Sequence, residues 1–302
     1  MNSLQMMMGA CSVADSEPTA GPFSFEVKTA AADTFQLPIY SGGTYDFHVD
    51  WGDDSSSDIT AYDDAAANHS YAGAGTYNVQ ITGTLVGWRF SNAGDKLLIH
   101  DISQWGILDV GNLNNYFYGC SNLTISATDG LNCPNTTNFY GCFYSCTGIT
   151  AIPTGLFDKC TKVTNFSKCF RSCSGITAIP TGLFDECTLV TNFSFCFYNC
   201  TGITAIPTGL FDECTLVTNF SFCFPFCIGI NTDLPANLIL YNVEIDECRY
   251  MFYGCASMTG DGTAFCDQAT THGVTTTGSC FAGCTSLPDY DDIPAAFGGG
   301  GN

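Results

Sequence analysis

Cysteines are the residues of this chain that could do the most chemistry, and most of the 19 are regularly spaced. Thiolates bind zinc, form disulfides or act as nucleophiles, whereas protonated thiols also serve as small buried core residues. Three sets recur with a step of 27 residues: Cys133, Cys160, Cys187 and Cys214; Cys142, Cys169, Cys196 and Cys223; and Cys146, Cys173, Cys200 and Cys227.

The spacing favours buried core thiols over the other roles. Cys142 and Cys146 have the spacing of zinc ligands, but none of the four histidines recurs with the repeat. Three thiols per repeat cannot pair evenly within that repeat, and the total is odd. A catalytic thiol needs a neighbouring base or positive charge, and nothing distinguishes one periodic thiol from the next. We therefore expect free core thiols, with zinc and disulfides as alternatives.

Carboxylates near the N-terminal third suggest a second kind of chemistry. Asp50, Asp53, Asp54 and Asp58 surround one turn, and calcium prefers several carboxylate oxygens. Their spacing is not that of an EF-hand, and a solvated acidic turn is the commoner arrangement, so we predict no metal and no other cofactor. His69 could act as a base, but no nucleophile lies near it in the sequence.

A repeated acidic pair, Asp185-Glu186 and Asp212-Glu213, occurs once per repeat. Such pairs indicate a solvent-facing acidic stripe, because a glycosidase needs only one pair of carboxylates around one bond. We predict that neighbouring polar positions form a binding face and that the chain has no catalytic residue. The binding-face candidates are Thr181, Asp185, Glu186, Thr208, Asp212 and Glu213.

These residues belong to a strict internal repeat. A block of 22 residues occurs without change at Ile176–Phe197 and at Ile203–Phe224, and a diverged copy begins at Ile149. A fixed period of this size is typical of solenoids, in which each coil is stable only when stacked on its neighbours. Equal coils build an extended surface, whereas an active site needs several different side chains that converge on one point. We therefore expect a binding or structural protein and not an enzyme.

Charge and hydropathy exclude several partners. The 302 residues include 29 acidic and 8 basic side chains, and the net charge of −21 excludes nucleic-acid binding and disfavours anionic membranes. No run of about 18 apolar residues exists, so we expect no membrane insertion. The first residues lack a basic segment, so we expect no secretory signal.

Alternating apolar residues predict short strands at FSFEV, TYDFHVDW and GTYNVQITG, and within one repeat ITAIP is the best candidate strand. The expected division of the chain is a leader or docking arm (1–21), a β-sandwich (22–90), a bridge (91–115), a repeat region (116–287) and an acidic, glycine-rich tail (288–302).

The repeats resemble the BspA-type branch of leucine-rich repeats, particularly those of mycoplasma-type surface lipoproteins. The resemblance lies in VTNFSFCFYNCTGI from Val190, VTNFSFCFPFCIGI from Val217 and ECRYMFYGCASM from Glu247. Phenylalanine replaces the usual methionine, and an extra cysteine precedes it. The resemblance implies a solenoid used on surfaces for adhesion or partner binding.

Residues 23–90 resemble a polycystic-kidney-disease (PKD) type immunoglobulin-like domain. The matching segments are VDWGD from Val49, HSY from His69 and GTYNV from Gly75, with Asp54 in place of a turn glycine. The resemblance implies an extracellular spacer, usually without catalysis.

Together these expectations describe a mainly β protein, with an N-terminal immunoglobulin-like β-sandwich followed by a leucine-rich-repeat solenoid of 27-residue coils. The predicted function is that of a non-enzymatic binding or structural protein on a virion surface, as a capsid decoration or tail fibre. A bacterial cell-surface adhesin is the alternative. Expected partners are other virion or surface proteins and a host-surface glycan or protein, within an oligomeric assembly.

Overall fold

The computed structural model describes residues 20–300, and the predicted leader lies almost entirely outside them. Strands are concentrated in the N-terminal part of this range, and turns dominate the rest. The strands are β1 (Phe23–Thr29), β2 (Asp33–Gln36), β3 (Thr44–Asp50), β4 (Ser56–Ile59), β5 (Asn68–Tyr71), β6 (Gly75–Val86), β7 (Ile99–Gln104), β8 (Leu108–Asp109), β9 (Thr124–Ile125), β10 (Asp233–Leu234) and β11 (Thr259–Gly260). One α-helix, α1, spans Gly262–Thr271, and 3₁₀ turns lie at Ala65–Ala67 and Ala295–Phe297.

Alternation of apolar and polar residues explains the three predicted strands, and all three are confirmed as β1, β3 and β6. In β3, Tyr45, Phe47 and Val49 are buried while the residues between them are exposed. Successive side chains of a strand point to opposite faces, so this pattern fixes which face of the sheet covers the core.

A single mixed sheet organises the N-terminal part, with the strand order β4-β3-β6-β1-β7-β9. The long strand β6 pairs antiparallel with β1 and β3, and it also pairs parallel with β8. β2 and β5 form a separate antiparallel pair. Trp51, Trp88 and Trp105 are completely buried in the core that this sheet covers.

The prediction of an immunoglobulin-like β-sandwich followed by a leucine-rich-repeat solenoid is wrong. The main sheet is open and mixed, and it continues through β7 and β9 because β1 offers its second edge to β7. In the repeats, the predicted strand ITAIP, at residues 203–207, does not form. Successive repeats are joined by isolated parallel bridges instead of a continuous ladder. These bridges run Asn138–Asn165–Asn192–Asn219–Glu247–Thr276.

Left-handed backbone explains why the repeats contain turns in place of strands. Lys168 and Ser172 have φ of 60° and 58°, and Phe195 and Asn199 have 58° and 57° in the next repeat. Two residues in this conformation, four positions apart, interrupt any extended segment. Neighbouring repeats nevertheless stay hydrogen-bonded, since the Phe166 N–H donates to a carbonyl oxygen one repeat later at 2.9 Å.

Rows of buried phenylalanine rings form the core of the repeats. The longest row consists of Phe117, Phe143, Phe170, Phe197, Phe224, Phe252 and Phe281, with ring centroids 5.2–5.9 Å apart. Identical residues stack because each repeat places them at the same point. The core therefore fixes the position of every outward-facing side chain relative to its equivalent in the next repeat.

Candidate functional site

All cysteines within residues 20–300 are buried and free, as expected for core thiols. Many of them act as hydrogen-bond donors between repeats. Cys173 and Cys200 each donate from Sγ to a carbonyl oxygen of the preceding repeat at 2.9 Å, the acceptors being Phe143 and Phe170. The thiols thus join successive repeats from within the core.

Burial also makes these thiols poor nucleophiles. Desolvation raises the pKa of Cys142 to about 11 and that of Cys284 to about 12. Burial and the nearby carboxylate of Asp158 raise the pKa of Cys187 to about 12. A thiol attacks as its thiolate, so thiols with these pKa values are protonated and unreactive at neutral pH.

In the acidic turn after β3, the aspartates accept hydrogen bonds from neighbouring residues of the chain. Asp50 Oδ1 accepts from the Gly52 N–H at 2.9 Å, while Asp53 accepts from Ser55 and from His69 Nε2 at 2.8 Å. Partial burial acts to raise the pKa of Asp53, but these hydrogen bonds outweigh it and lower the pKa. Asp54 has φ of 66° at the tip of the turn.

His69 joins this turn to β5 and the core. Its ring stacks on Trp51, with centroids 4.6 Å apart, and Tyr71 donates from its hydroxyl to the Trp51 carbonyl at 3.0 Å. In residues 20–300, no group of three or more histidine, cysteine, aspartate or glutamate side chains is placed to hold a metal ion. Of the calcium candidates Asp50, Asp53 and Asp54, the first two therefore accept hydrogen bonds that hold the turn and its neighbours together.

The predicted binding-face residues do lie in equivalent places of two successive repeats. Thr181 and Thr208 are exposed, and each is followed by a left-handed glycine that turns the chain toward the acidic pair. Phe184 and Phe211, which precede these pairs, stack 6.1 Å apart in the core. We call this surface the acidic row and define it as Asp185, Glu186, Leu189, Asp212, Glu213 and Leu216.

Two leucines make the acidic row partly apolar. Leu189 and Leu216 are each 45% exposed, although large apolar side chains are usually buried. Tyr241, which is 51% exposed, lies beside Asp212 and Glu213 in a shallow cleft that also includes Thr215. The row therefore presents carboxylates and apolar side chains together.

A second outward surface, which the sequence interpretation missed, consists of stacked aromatic rings and two cations. Its residues are partly or fully exposed, and we call it the aromatic strip. It comprises Tyr118, Tyr140, Tyr144, Lys168, Arg171, Phe195, Tyr198, Phe222, Phe226, Tyr250 and Tyr253. The strip is continuous, since Phe222 stacks between Phe195 at 4.5 Å and Tyr250 at 4.7 Å.

The two cations of the strip contact rings instead of carboxylates. The Arg171 guanidinium lies 5.2 Å from the Tyr144 ring centroid and 4.6 Å from that of Tyr198, and the Lys168 ammonium lies 4.7 Å from that of Tyr140. Neither cation belongs to any of the three ion pairs within residues 20–300. Arg171 Nε is buried without a hydrogen-bond partner.

Comparison of the near-identical repeats shows where this charge comes from. Residues 159, 162, 168 and 171 are lysine or arginine in the repeat that begins at Ile149. The equivalent residues are Glu, Leu, Phe and Tyr in the next repeat, and Glu, Leu, Phe and Pro in the one after it. Half of the chain's 8 basic residues are thus in one repeat. The apolar core residues of the three copies are unchanged, so the surface has changed while the core has not.

A family model matches two overlapping segments of the chain, 86–209 and 164–290, and its description is "Mycoplasma protein of unknown function, DUF285". Together the two segments cover more than half of the chain. The chain belongs to the DUF285 family.

Both candidate surfaces lie within the DUF285 segments, whereas β1–β5 precede them. The chain is therefore a cysteine-rich repeat protein with additional N-terminal strands. No curated protein matches the chain. Among residues 20–300 no helix has both the length and the apolar character needed to cross a membrane.

Proposed function

We propose that this protein is a non-enzymatic surface protein that binds a host surface and has a structural role in an oligomeric assembly. The observation that carries the proposal is the arrangement of outward side chains in rows, with one equivalent set per repeat. Equivalent groups at a constant step can bind a repetitive ligand at several points at once, and linked weak contacts of this kind give high overall affinity.

The chemistry of the described residues supports binding over catalysis. The thiols of residues 20–300 are buried, and burial raises the pKa values of Cys142 and Cys284 so far that these thiols are protonated at neutral pH and do not act as nucleophiles. His69 and Asp53 hold a turn together against Trp51. The repeated carboxylates form a row, whereas a general acid–base pair needs two groups with different environments around one bond.

The location we propose is the surface of a virion, as a capsid decoration or tail fibre whose partners are other virion proteins and a host-surface glycan or protein. Free thiols agree with synthesis in a reducing compartment, and virus particles are assembled in one. The alternative is a bacterial cell-surface adhesin, and the description of the DUF285 family as a mycoplasma protein favours this alternative.

Fractionation of the producing culture tests the proposal. Purified virus particles, a cell-surface fraction and a cytosolic fraction are analysed by quantitative mass spectrometry, with thiols alkylated before and after denaturation. We expect the chain in the particles, with thiols that react only after denaturation. Enrichment at the cell surface supports the adhesin instead, and confinement to the cytosol contradicts both surface locations.

A further inference from the structure

The aromatic strip and the acidic row are complementary surfaces, and among residues 20–300 their charged side chains form no ion pair with each other or with any other side chain. The strip contains Lys168 and Arg171 without carboxylates, and the row contains two acidic pairs without cations. The three ion pairs within residues 20–300 involve none of these side chains. Within the repeat that begins at Ile176, Asp185 of the row and Tyr198 of the strip are 13 positions apart, so the two surfaces occupy different parts of the repeat.

Ring geometry adds to the positive character of the strip. Phe195, Phe222 and Tyr250 stack nearly parallel, with interplanar angles of 6° and 14°, so neighbouring rings cover one another's faces. In a column stacked in this way, the ring edges and not the ring faces are free for other contacts. An aromatic ring has a negative face and a positive edge, so a column of exposed edges attracts carboxylates. Tyrosine and arginine are also enriched among the residues that contribute most of the binding energy at protein interfaces.

The acidic row has matching chemistry. Exposed Leu189 and Leu216 offer apolar contacts beside the carboxylates, as the rings do beside the cations. Equivalent side chains of each surface recur once per repeat, because equivalent residues of successive repeats stack on one another. Apolar and charged groups of one surface can therefore face their counterparts on the other over more than one repeat.

The diverged repeat, which begins at Ile149, limits where the aromatic strip and the acidic row can face each other. Lys159 and Lys162 stand where the next repeats have the glutamate and leucine of the row, so the row is confined to the two unchanged copies. The same repeat supplies Lys168 and Arg171, the two cations of the strip. The four basic residues of one repeat thus account for both the cations of the strip and the end of the acidic row.

We propose that the aromatic strip of one molecule binds the acidic row of a second copy of this chain. This inference rests on the structural role in the proposed function and specifies how copies join. The two surfaces differ, so the contact is heterologous: each bound copy keeps one surface free, and copies add until they close a ring or form a filament.

Sedimentation equilibrium of the full chain tests this contact directly. We expect the average mass of the wild type to rise with protein concentration. Lys168→Glu with Arg171→Glu, the strip variant, places like charges against the row and should weaken self-association by about 100-fold. Lys28→Glu with Lys96→Glu is the matched control, since it changes the net charge equally in the N-terminal part and should associate like the wild type.

Mixing shows whether the two surfaces bind each other. Asp212→Lys with Glu213→Lys, the row variant, should also be monomeric alone. An equimolar mixture with the strip variant should associate, because the strip variant keeps an intact row and the row variant keeps an intact strip. A mixture that remains monomeric, a wild type that is monomeric at every concentration, or a strip variant that associates normally would overturn the inference.

Folding and host binding are checked separately. Circular dichroism identifies a misfolded charge variant, and the milder pair Lys168→Gln with Arg171→Gln then replaces it, with an expected weakening of about tenfold; unchanged association of that pair overturns the inference. A chain that binds host surfaces but never self-associates refutes this contact alone. A chain that self-associates but is confined to the cytosol refutes the proposed location alone.

Discussion

Asn242 occupies the position of Cys214 one repeat later and makes the same contacts. Cys214 donates from Sγ to the carbonyl oxygens of Phe184 and Cys187, both at 3.6 Å. Asn242 donates from Nδ2 to those of Phe211 and Cys214, at 3.1 and 2.9 Å. The amide and the thiol thus place a hydrogen-bond donor at the same position. The cysteines equivalent to Cys214, which are Cys160 and Cys187, likewise link repeats through S–H groups.

Substitutions at this amide test the donor role. Asn242→Leu leaves the two acceptor carbonyls without this donor and should lower the free energy of unfolding by about 1–3 kcal/mol. Asn242→Cys restores the donor of the other repeats and removes Oδ1, which is buried without a partner, so stability should stay within about 1 kcal/mol of the wild type. Urea unfolding measures both, and equal stability of the two variants would contradict a donor role.

The buried thiols also predict a loss of stability at high pH. Burial raises the pKa of Cys142 to about 11 and those of Cys187 and Cys284 to about 12, whereas thiols of the unfolded chain ionise near pH 8.5. Above that pH the unfolded state binds fewer protons than the native state, so the free energy of unfolding falls. This contribution is complete below about pH 8 and is lost as the pH rises toward 12.

Urea midpoints measured from pH 6 to pH 11 check this dependence. The midpoint should be constant below about pH 8 and then decrease. Iodoacetamide should modify the cysteines of residues 20–300 in urea but not in the folded chain at the same pH. A midpoint that stays constant up to pH 11, or rapid modification of these cysteines in the folded chain, would show that the thiols are not buried as the structure has them.

The left-handed backbone in the aromatic strip predicts that glycine is a more stable replacement than alanine there, the reverse of the usual order of these two residues. At Phe195, where φ is 58°, glycine should be more stable than alanine by about 1 kcal/mol, because a side chain with Cβ is strained in this conformation. Phe193, two residues earlier, is fully buried, and Phe193→Ala should cost about 3–5 kcal/mol. Thermal unfolding measures all three variants, and an alanine more stable than glycine at position 195 would refute the left-handed backbone there.

The contact between Asp53 and His69 predicts how the stability of the folded chain changes at low pH. The pKa of Asp53 is lowered, so this carboxylate contributes stability above the ordinary aspartate pKa of about 4 and loses it as the pH falls through the lowered value. Asp53→Asn should therefore be less stable than the wild type at pH 7, and the difference should shrink below about pH 4. Asp46→Asn, at an exposed position in β3, is the control and should show little effect at either pH.

Local sequence patterns were sufficient for the strands and for the thiol rows. Phe47 and Val49 alternate with polar residues, and this alternation predicts β3 because it depends only on neighbouring residues. The 27-residue step of cysteines such as Cys173 and Cys200 predicts their alignment, and the structure aligns them in the core.

The aromatic strip and the turn-rich repeats depend on backbone conformation that the pattern does not reveal. The FSFCF pattern does not reveal that Phe222 is partly exposed and has a left-handed backbone with φ of 58°, while Phe220 and Phe224 on either side of it are buried. One signal was available in the sequence: the position before the second cysteine of each repeat varies from Gly141 to Lys168 to Phe195. Such variation beside invariant core residues indicates a surface position.

The most direct test of the proposed function is binding of the purified, labelled full chain to intact host cells and to immobilised glycans, at a protein concentration at which the chain is monomeric and its acidic row is not covered by a second copy. A variant with alanine at Thr181, Asp185, Glu186, Thr208, Asp212 and Glu213 is compared with a control that has alanine at the exposed Asp46 and Asp63. We predict that the wild type and the control bind and that the six-residue variant loses binding while its circular dichroism is unchanged. Equal binding by the folded six-residue variant would contradict a repeat surface that mediates adhesion.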